Sequence, residues 1–360
     1  MNTALNGICP YFTMFPLDFP MGILKRHAQK GDVVLDPFAG RGTTLYAGRL
    51  RGLDSFGIDS NPVAVAISQA KLANTTPTRI TNTAKKILSQ IQTPTNVPTG
   101  IFWKYAFHQE ALEVLCRLRK GLLTNCESNS RKALRAVILG ALHGPLGKET
   151  QSYFSNQCPR TYAPKPRYSV KFWRQHKLSP PKVDVQQIIE RRAQRFFETE
   201  KSIGSGRAIA GDSQKTSAFR SITNQPNWIV TSPPYYGMNT YIPDQWLRSW
   251  FLGGPSEVDY TNAGQLSHAS QDDFSDGLKK VWENCASIAE HGCRLVIRFG
   301  AINNRKVDVR DLIKASLSDT PWDVTYCRKA GIPPKGRRQA DHFVPTESAI
   351  EEYDVWCELN

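Results

Sequence analysis

Short apolar runs alternate with stretches of helical spacing along most of this chain. Val33-Val34-Leu35 is a compact run that stops at Asp36, as in a strand buried on both faces. Gly40 and Gly42 follow it, permitting a tight turn, and Thr43 or Thr44 can cap a helix over roughly 44–50. A second run, 55–59, ends at Asp59, and Pro62 opens a helix reaching Leu72, at a position where proline is tolerated. A third run ends in Gly211-Asp212-Ser213. Trp228 to Val230 is a fourth and leads into Thr231-Ser232-Pro233-Pro234-Tyr235. Beyond it the pattern predicts helices over 244–251, 272–290 and 309–317 and a strand over 293–299. Strands over 322–327 and 353–359 then flank a basic loop at 332–339. The whole predicts an α/β fold, doubly wound and mostly parallel, with an antiparallel C-terminal hairpin on the sheet edge.

The middle of the chain has a different character. Residues 74–100 read as a boundary containing one basic helical stretch, 84–91. Leucines at 112, 115, 118 and 122 predict a helix over 108–123. Leu134, Val137, Ile138 and Leu142 predict another over 131–142, and 185–197 a third. Between Gln151 and Pro181 basic, aromatic and proline residues interleave in what reads as a long loop. The expected organisation is a discontinuous catalytic domain, 1–74 and 206–360, around a mainly helical insert, 75–205. Residues 9–21, rich in aromatics and proline, read as an ordered arm, with a short helix at 22–29.

Charge sharpens this picture. The net charge is +14, and residues 101–210 hold 20 Lys and Arg against 8 Asp and Glu, an excess of +12 in one segment. That concentration points to a polyanion, most simply nucleic acid. Lys165, Arg167, Lys171 and Arg174, with Arg160 before them, supply cations for phosphates beside rings for bases, and Lys335, Arg337 and Arg338 form a second basic loop. The eight cysteines are scattered, with no CxxC pair and no zinc spacing, so no metal and no disulfide framework is expected. No apolar run is long enough for a membrane span, and the N-terminus has no basic segment before an apolar core, so a cytoplasmic, nucleoid-associated protein is expected.

Two turns carry the candidate chemistry. Asp59 lies 23 positions after Asp36, where a carboxylate ending the second strand of a nucleotide-binding unit holds ribose hydroxyls. Asp before Ser-Asn-Pro is equally a good turn and cap former. The fourth strand cannot continue through Pro233-Pro234, because neither has an N–H and both have a fixed φ. It must end as a stiff, extended loop whose carbonyls have no local partners, bracketed by the Ser232 hydroxyl and the Tyr235 ring.

Asp36-Pro37-Phe38-Ala39-Gly40-Arg41-Gly42-Thr43-Thr44 together with Thr231-Ser232-Pro233-Pro234-Tyr235 resembles the amino-group DNA methyltransferases that use S-adenosylmethionine. The resemblance covers 9–72 and 205–359. Ser-Pro-Pro-Tyr is the form seen most among enzymes acting on N4 of cytosine, and Asp- or Asn-Pro-Pro-Tyr is the usual N6-adenine form. The resemblance implies a Rossmann-like methyltransferase sheet with S-adenosylmethionine as cofactor. Asp36, Pro37, Phe38, Gly40, Gly42 and Thr43 would hold its methionine half. Asp59, with Ser60 and Asn61, would hold the ribose, and Asp212, with Ser213, the adenine. Thr13, Phe15 and Pro16 would close over it. Ser232 Oγ and the Pro233 carbonyl would accept the two N–H groups of the target amine, Pro234 would stiffen the loop, and Tyr235 would stack on a base flipped from duplex DNA. A cognate restriction endonuclease or defence-system protein is left open as a partner, as is the oligomeric state. Methylation at carbon 5 of cytosine is disfavoured, because no cysteine lies between Cys158 and Cys285 to act as nucleophile. N6-adenine methylation, an RNA methyltransferase of the tRNA guanine-N2 type, and a nucleic-acid-binding scaffold with an inactive cofactor site are the alternatives.

Overall fold

The computed structural model describes all residues except 1–2, 12–14, 147–150, 160–163, 199–203, 237–241, 260–265, 267–269, 301–307 and 331–351. Its strands are β1 (Val33–Asp36), β2 (Asp54–Asp59), β3 (Gly206–Ala210), β4 (Trp228–Thr231), β5 (Arg294–Gly300), β6 (Trp322–Lys329) and β7 (Glu352–Leu359). Its helices are α1 (Asp18–His27), α2 (Thr43–Arg51), α3 (Pro62–Leu72), α4 (Pro77–Gln90), α5 (Ile101–Ala106), α6 (Gln109–Thr124), α7 (Asn129–Ala141), α8 (Pro166–Gln175), α9 (Val185–Phe197), α10 (Trp246–Phe251), α11 (Gln271–Ala286) and α12 (Val309–Leu317). The chain divides into two compact units. A sheet unit comprises 11–68, 202–240 and 262–360, and a helical unit 1–10, 69–201 and 241–261.

In the sheet unit the seven strands run in the order β3-β2-β1-β4-β5-β7-β6. The first five are parallel, and β7 is antiparallel to both β5 and β6. The expected doubly wound sheet with an antiparallel edge hairpin is therefore present. The last strand slots inside the edge, between β5 and β6. Alternate strand residues serve opposite faces. Val34, Trp228, Val230, Val296 and Trp356 pack with Phe19, Ile23 and Leu24 of α1 and Ala47 of α2. Leu35, Ile229, Leu295, Ile297, Val355 and Cys357 pack with Phe274, Leu278, Val281 and Trp282 of α11 and Leu312 and Ile313 of α12. Burial on both faces is why these strands read as unbroken apolar runs. The antiparallel junction is tied by a buried bidentate pair: Arg298 Nε and Nη2 donate to Asp354 Oδ1 and Oδ2 at 2.8 and 2.9 Å. The same guanidinium lies 3.9 Å from the Phe19 ring centroid, so one side chain links β5, β7 and α1.

The helical unit is built around clustered aromatics that meet tilted or edge-on. Trp103 and Trp250 rings lie 4.6 Å apart, and Phe102 and Trp246 4.9 Å. Each buried indole N–H needs an acceptor. Trp103 Nε1 donates to Ser256 O, Trp173 Nε1 to Gln157 O and Trp246 Nε1 to Pro164 O. These three bonds pin loops whose sequence holds no regular pattern. Arg192 donates to Ile8 O and Arg248 to Pro10 O, which clasps the N-terminal segment by its backbone.

The segment expected to be a long loop, 151–181, contains a helix, α8. Pro166 occupies its first turn with a φ already suited to a helix. Only Ser169, Val170 and Trp173 are buried on it, too few apolar positions to show a helical period. Helix α5 likewise had no spacing signal, and the stretch 244–251 opens as a single 3-10 turn, Ile242–Gln245, before α10.

Candidate active site

Strand order reverses between β1 and β4, so the carboxyl ends of these two neighbours border the crevice where ligands bind in open α/β sheets. Asp36 ends β1 and Thr231 ends β4. Asp36 is fully buried. Its Oδ1 accepts from Thr231 Oγ1 at 2.6 Å and from Phe38 N at 3.1 Å. Its Oδ2 is buried with no hydrogen-bond partner among the described residues. Burial raises this carboxyl to about 6 against the pull of the Thr231 hydroxyl, and the charge of Asp59 adds to the rise. A half-satisfied buried carboxylate calls for a cation.

The turn after β1 is held by its backbone. Gly40 and Gly42 have φ of +50° and +71°. Gly40 N donates to Asp59 Oδ2 at 2.8 Å and its carbonyl accepts from Ser68 Oγ at 3.0 Å. A Cβ on Gly42 would lie 2.6 Å from Ser68 Oγ, so only glycine fits. The expected threonine cap is not formed. Gly42 is the N-cap of α2, Thr43 and Thr44 lie inside the helix, and Thr44 Oγ1 donates to Val230 O at 3.0 Å. No side chain caps this end and no acid lies in its first turn, which leaves the helix N-terminus suited to an anionic group.

Asp59 ends β2. Its Oδ1 accepts from Asn61 N and its Oδ2 from Gly40 N, both at 2.8 Å, and burial raises its carboxyl to about 6. Each oxygen keeps a further lone pair for a hydroxyl. Asn61 also serves the helix: its Oδ1 accepts from Val63 N and its Nδ2 donates to Tyr11 Oη. Ser60 is exposed. Asp212 is half-buried after β3, with Oδ1 accepting from Gln214 N at 3.0 Å. Ser213 is a tie: its hydroxyl donates to Pro37 O, and its carbonyl accepts from Asn284 Nδ2. Phe38 meets Trp282 edge-on at 6.1 Å. Phe15 packs edge-on against Phe19 at 5.5 Å and Pro16 is exposed, while Thr13 lies outside the described residues.

At the end of β4, Ser232 is half-buried, Pro233 buried and Pro234 half-buried. Among the described residues neither Ser232 Oγ nor the Pro233 carbonyl has a hydrogen-bond partner. Tyr235 is only 9% exposed. Its ring meets Phe299 edge-on at 6.0 Å, and its hydroxyl donates to Glu352 Oε1. Glu352, buried at the start of β7, anchors the loop from 117 positions away. No local pattern in the sequence could have singled it out. Thr231 was likewise passed over, although its place beside Ser232 marks it as a strand end.

The site contains no metal cluster: among the described residues no three His, Cys, Asp or Glu side chains are grouped to hold one. Nor is any described helix long and apolar enough to cross a membrane. Of the basic candidates, Lys165, Arg167, Lys171 and Arg174 are exposed on or beside α8. Arg160, Lys335, Arg337 and Arg338 lie outside the described residues.

Residues 3–70 match the model of a DNA methylase family. They hold the β1 turn and the β2 acid. Over 68 residues the chain is 41% identical to a type II methyltransferase, M.MjaII, of Methanocaldococcus jannaschii; the match spans 19% of this chain and 13% of that protein. Among solved structures, an rRNA methyltransferase, aviRa, from Streptomyces viridochromogenes aligns over 99% of this chain and 90% of its own, at 14% identity and a TM-score of 0.40. A SAM-dependent methyltransferase from Methanosarcina mazei aligns over 96% and 98%, at 8% identity and 0.36. Likeness at that level bears on neither substrate nor chemistry.

The residues present fit S-adenosylmethionine, the cofactor that the sequence resemblance implies. The unsatisfied Asp36 oxygen suits its ammonium, the uncapped start of α2 its carboxylate, and the free lone pairs of Asp59 its ribose hydroxyls.

Proposed function

We propose that the protein methylates the exocyclic amine of a base flipped out of duplex DNA, N4 of cytosine first. The observation that carries this is the pair of unpartnered acceptors, Ser232 Oγ and the Pro233 carbonyl, at the end of the strand beside Asp36. When bound, S-adenosylmethionine supplies a methyl group on positively charged sulfur, open to direct attack by an amine. The amine of cytosine is a poor nucleophile because its lone pair is delocalised into the ring. Ser232 Oγ and the Pro233 carbonyl accept its two N–H groups and favour a more tetrahedral nitrogen. Pro233 and Pro234 hold those acceptors still, so no reorganisation is needed as charge develops. Tyr235, fixed through Glu352, backs the base. Serine at position 232 is what favours cytosine over adenine.

Residues 1–74 and 206–360 carry the catalysis, and the basic insert, 75–205, recognises the DNA. Tritium from labelled S-adenosylmethionine is expected in duplex DNA and not in transfer RNA. Label in transfer RNA alone would assign the enzyme to RNA, and the absence of cofactor binding in calorimetry would make it a scaffold. Replacing Arg160, Arg167 and Arg174 together should weaken duplex binding and flatten its salt dependence by up to about three unit charges. An unchanged salt slope would remove the insert from recognition.

A further inference from the structure

Helix α8 (Pro166–Gln175) turns three surfaces in different directions. Ser169, Val170 and Trp173 face the core of the helical unit, where Trp173 is fully buried. On another side, exposed Tyr168, half-buried Phe172 and exposed His176 recur every four residues, the spacing of neighbours on one helix face. Tyr168 and Phe172 are near-parallel, 19° apart with centroids at 6.4 Å, and Phe172 and His176 lie at 4.2 Å and 34°. Tyr168 is 54% exposed. Beside this ladder runs a cationic row, Arg167, Lys171 and Arg174, at spacings of four and three. All three are exposed, and none forms an ion pair among the described residues. Arg174 also lies over the Tyr105 ring at 5.4 Å. Between Gln151 and Lys182 the sequence has no acid.

Exposed ring surface costs solvation, and an all-cationic flank repels another basic surface. Rings in a row beside cations in a row match one class of ligand: a single strand, whose bases stack on the rings while its phosphates meet the cations. A duplex offers phosphates to the cations but keeps its base faces closed. We propose that the Tyr168–Phe172–His176 ladder is a stacking platform for unpaired DNA, with Arg167, Lys171 and Arg174 as its phosphate rail. This rests on the reading of the insert as the DNA-binding part and adds that it holds a strand whose bases are exposed.

The test is fluorescence anisotropy of the full chain with a labelled 20-nucleotide single strand and with the same sequence as duplex. Tyr168→Ala combined with Phe172→Ala should weaken single-strand binding by about tenfold or more and change duplex binding by less than about twofold. Tyr168→Phe combined with Phe172→Tyr should restore it, which separates ring stacking from loss of fold. Arg167→Gln with Lys171→Gln should lower the salt slope for both ligands. Equal loss for both ligands in the alanine variant, or no loss, overturns the platform. Tighter binding to RNA of the same sequence overturns the assignment to DNA. Methyl transfer is read separately with tritiated S-adenosylmethionine: ring-dependent strand binding without transfer leaves the platform standing and removes the methyltransferase reading, and transfer with strand binding unaffected by the rings does the reverse.

Discussion

The turns after β1 and β4 border one crevice but are made rigid in opposite ways. After β1, two glycines adopt left-handed backbone that other residues resist, and neighbours pin them: Asp59 takes the Gly40 N–H, Ser68 the Gly40 carbonyl, and Ser68 fills the space beside Gly42. After β4, two prolines remove the freedom at source, and the far end is tied by Tyr235 to Glu352. The glycine turn brings backbone close to a ligand. The proline turn keeps acceptors unpaired and still. Permissive residues need neighbours to hold them, whereas restrictive residues need only an anchor.

The largest expected effect separates the acceptors from the scaffold. Ser232→Ala should lower the methyl-transfer rate by about a hundredfold or more, the scale of losing one preorganised hydrogen-bond partner, with the cofactor Kd unchanged. If the rate falls only with cofactor affinity, the two turns do not divide the work. Gly42→Ala should do the opposite: weaker cofactor binding, and a stability loss of about 1–3 kcal/mol in urea from forced backbone and the Ser68 clash. An alanine variant of unchanged stability would show that Ser68 gives way.

Smaller still is the effect of the anchor. Tyr235→Phe keeps the ring and removes the bond to Glu352, and should cost about tenfold in kcat, with Glu352→Gln no worse and the double variant no worse than the single. Additive losses would mean that Glu352 acts on something other than Tyr235. The mildest effect is in pH. Asp36 and Asp59 are both raised to about 6 by burial. An ionised Asp36 is needed to meet an ammonium, so cofactor affinity should fall as pH drops below about 6, and Asp36→Asn should bind weakly and flatten the profile. Without cofactor the sign is reversed for stability. A carboxyl raised in the folded state stabilises fully below about 4 and loses that contribution as pH rises through about 6, by about 3 kcal/mol for a fully buried Asp36. Flat stability between these limits would place Asp36 nearer water.

Much of the sheet unit was legible, because its strands are short apolar runs ended by chemistry: Asp36, Asp59, Gly211 and Pro233 each mark the end of a strand. The edge hairpin was legible too, though nothing in Tyr353 to Leu359 announces that β7 slots between β5 and β6. What stayed hidden depends on distance or on sparse pattern. Glu352 meets Tyr235 only through β7 pairing, and α8 has three buried residues in ten, below what periodicity can reveal. The N-cap of α2 went to Gly42 rather than to a threonine because the turn requires positive φ there, and backbone geometry outranked side-chain capping. Asn61 and Ser213, expected at the cofactor, also spend hydrogen bonds on holding α3 and the Pro37 loop.

The most direct test is nucleoside analysis by mass spectrometry of duplex DNA incubated with the full chain and S-adenosylmethionine, wild type beside Ser232→Ala. N4-methylcytosine from the wild type, reduced about a hundredfold or more in the variant, is the expected result. N6-methyladenine would move the target to adenine, and equal product from both proteins would contradict a role for Ser232 as the amine's acceptor.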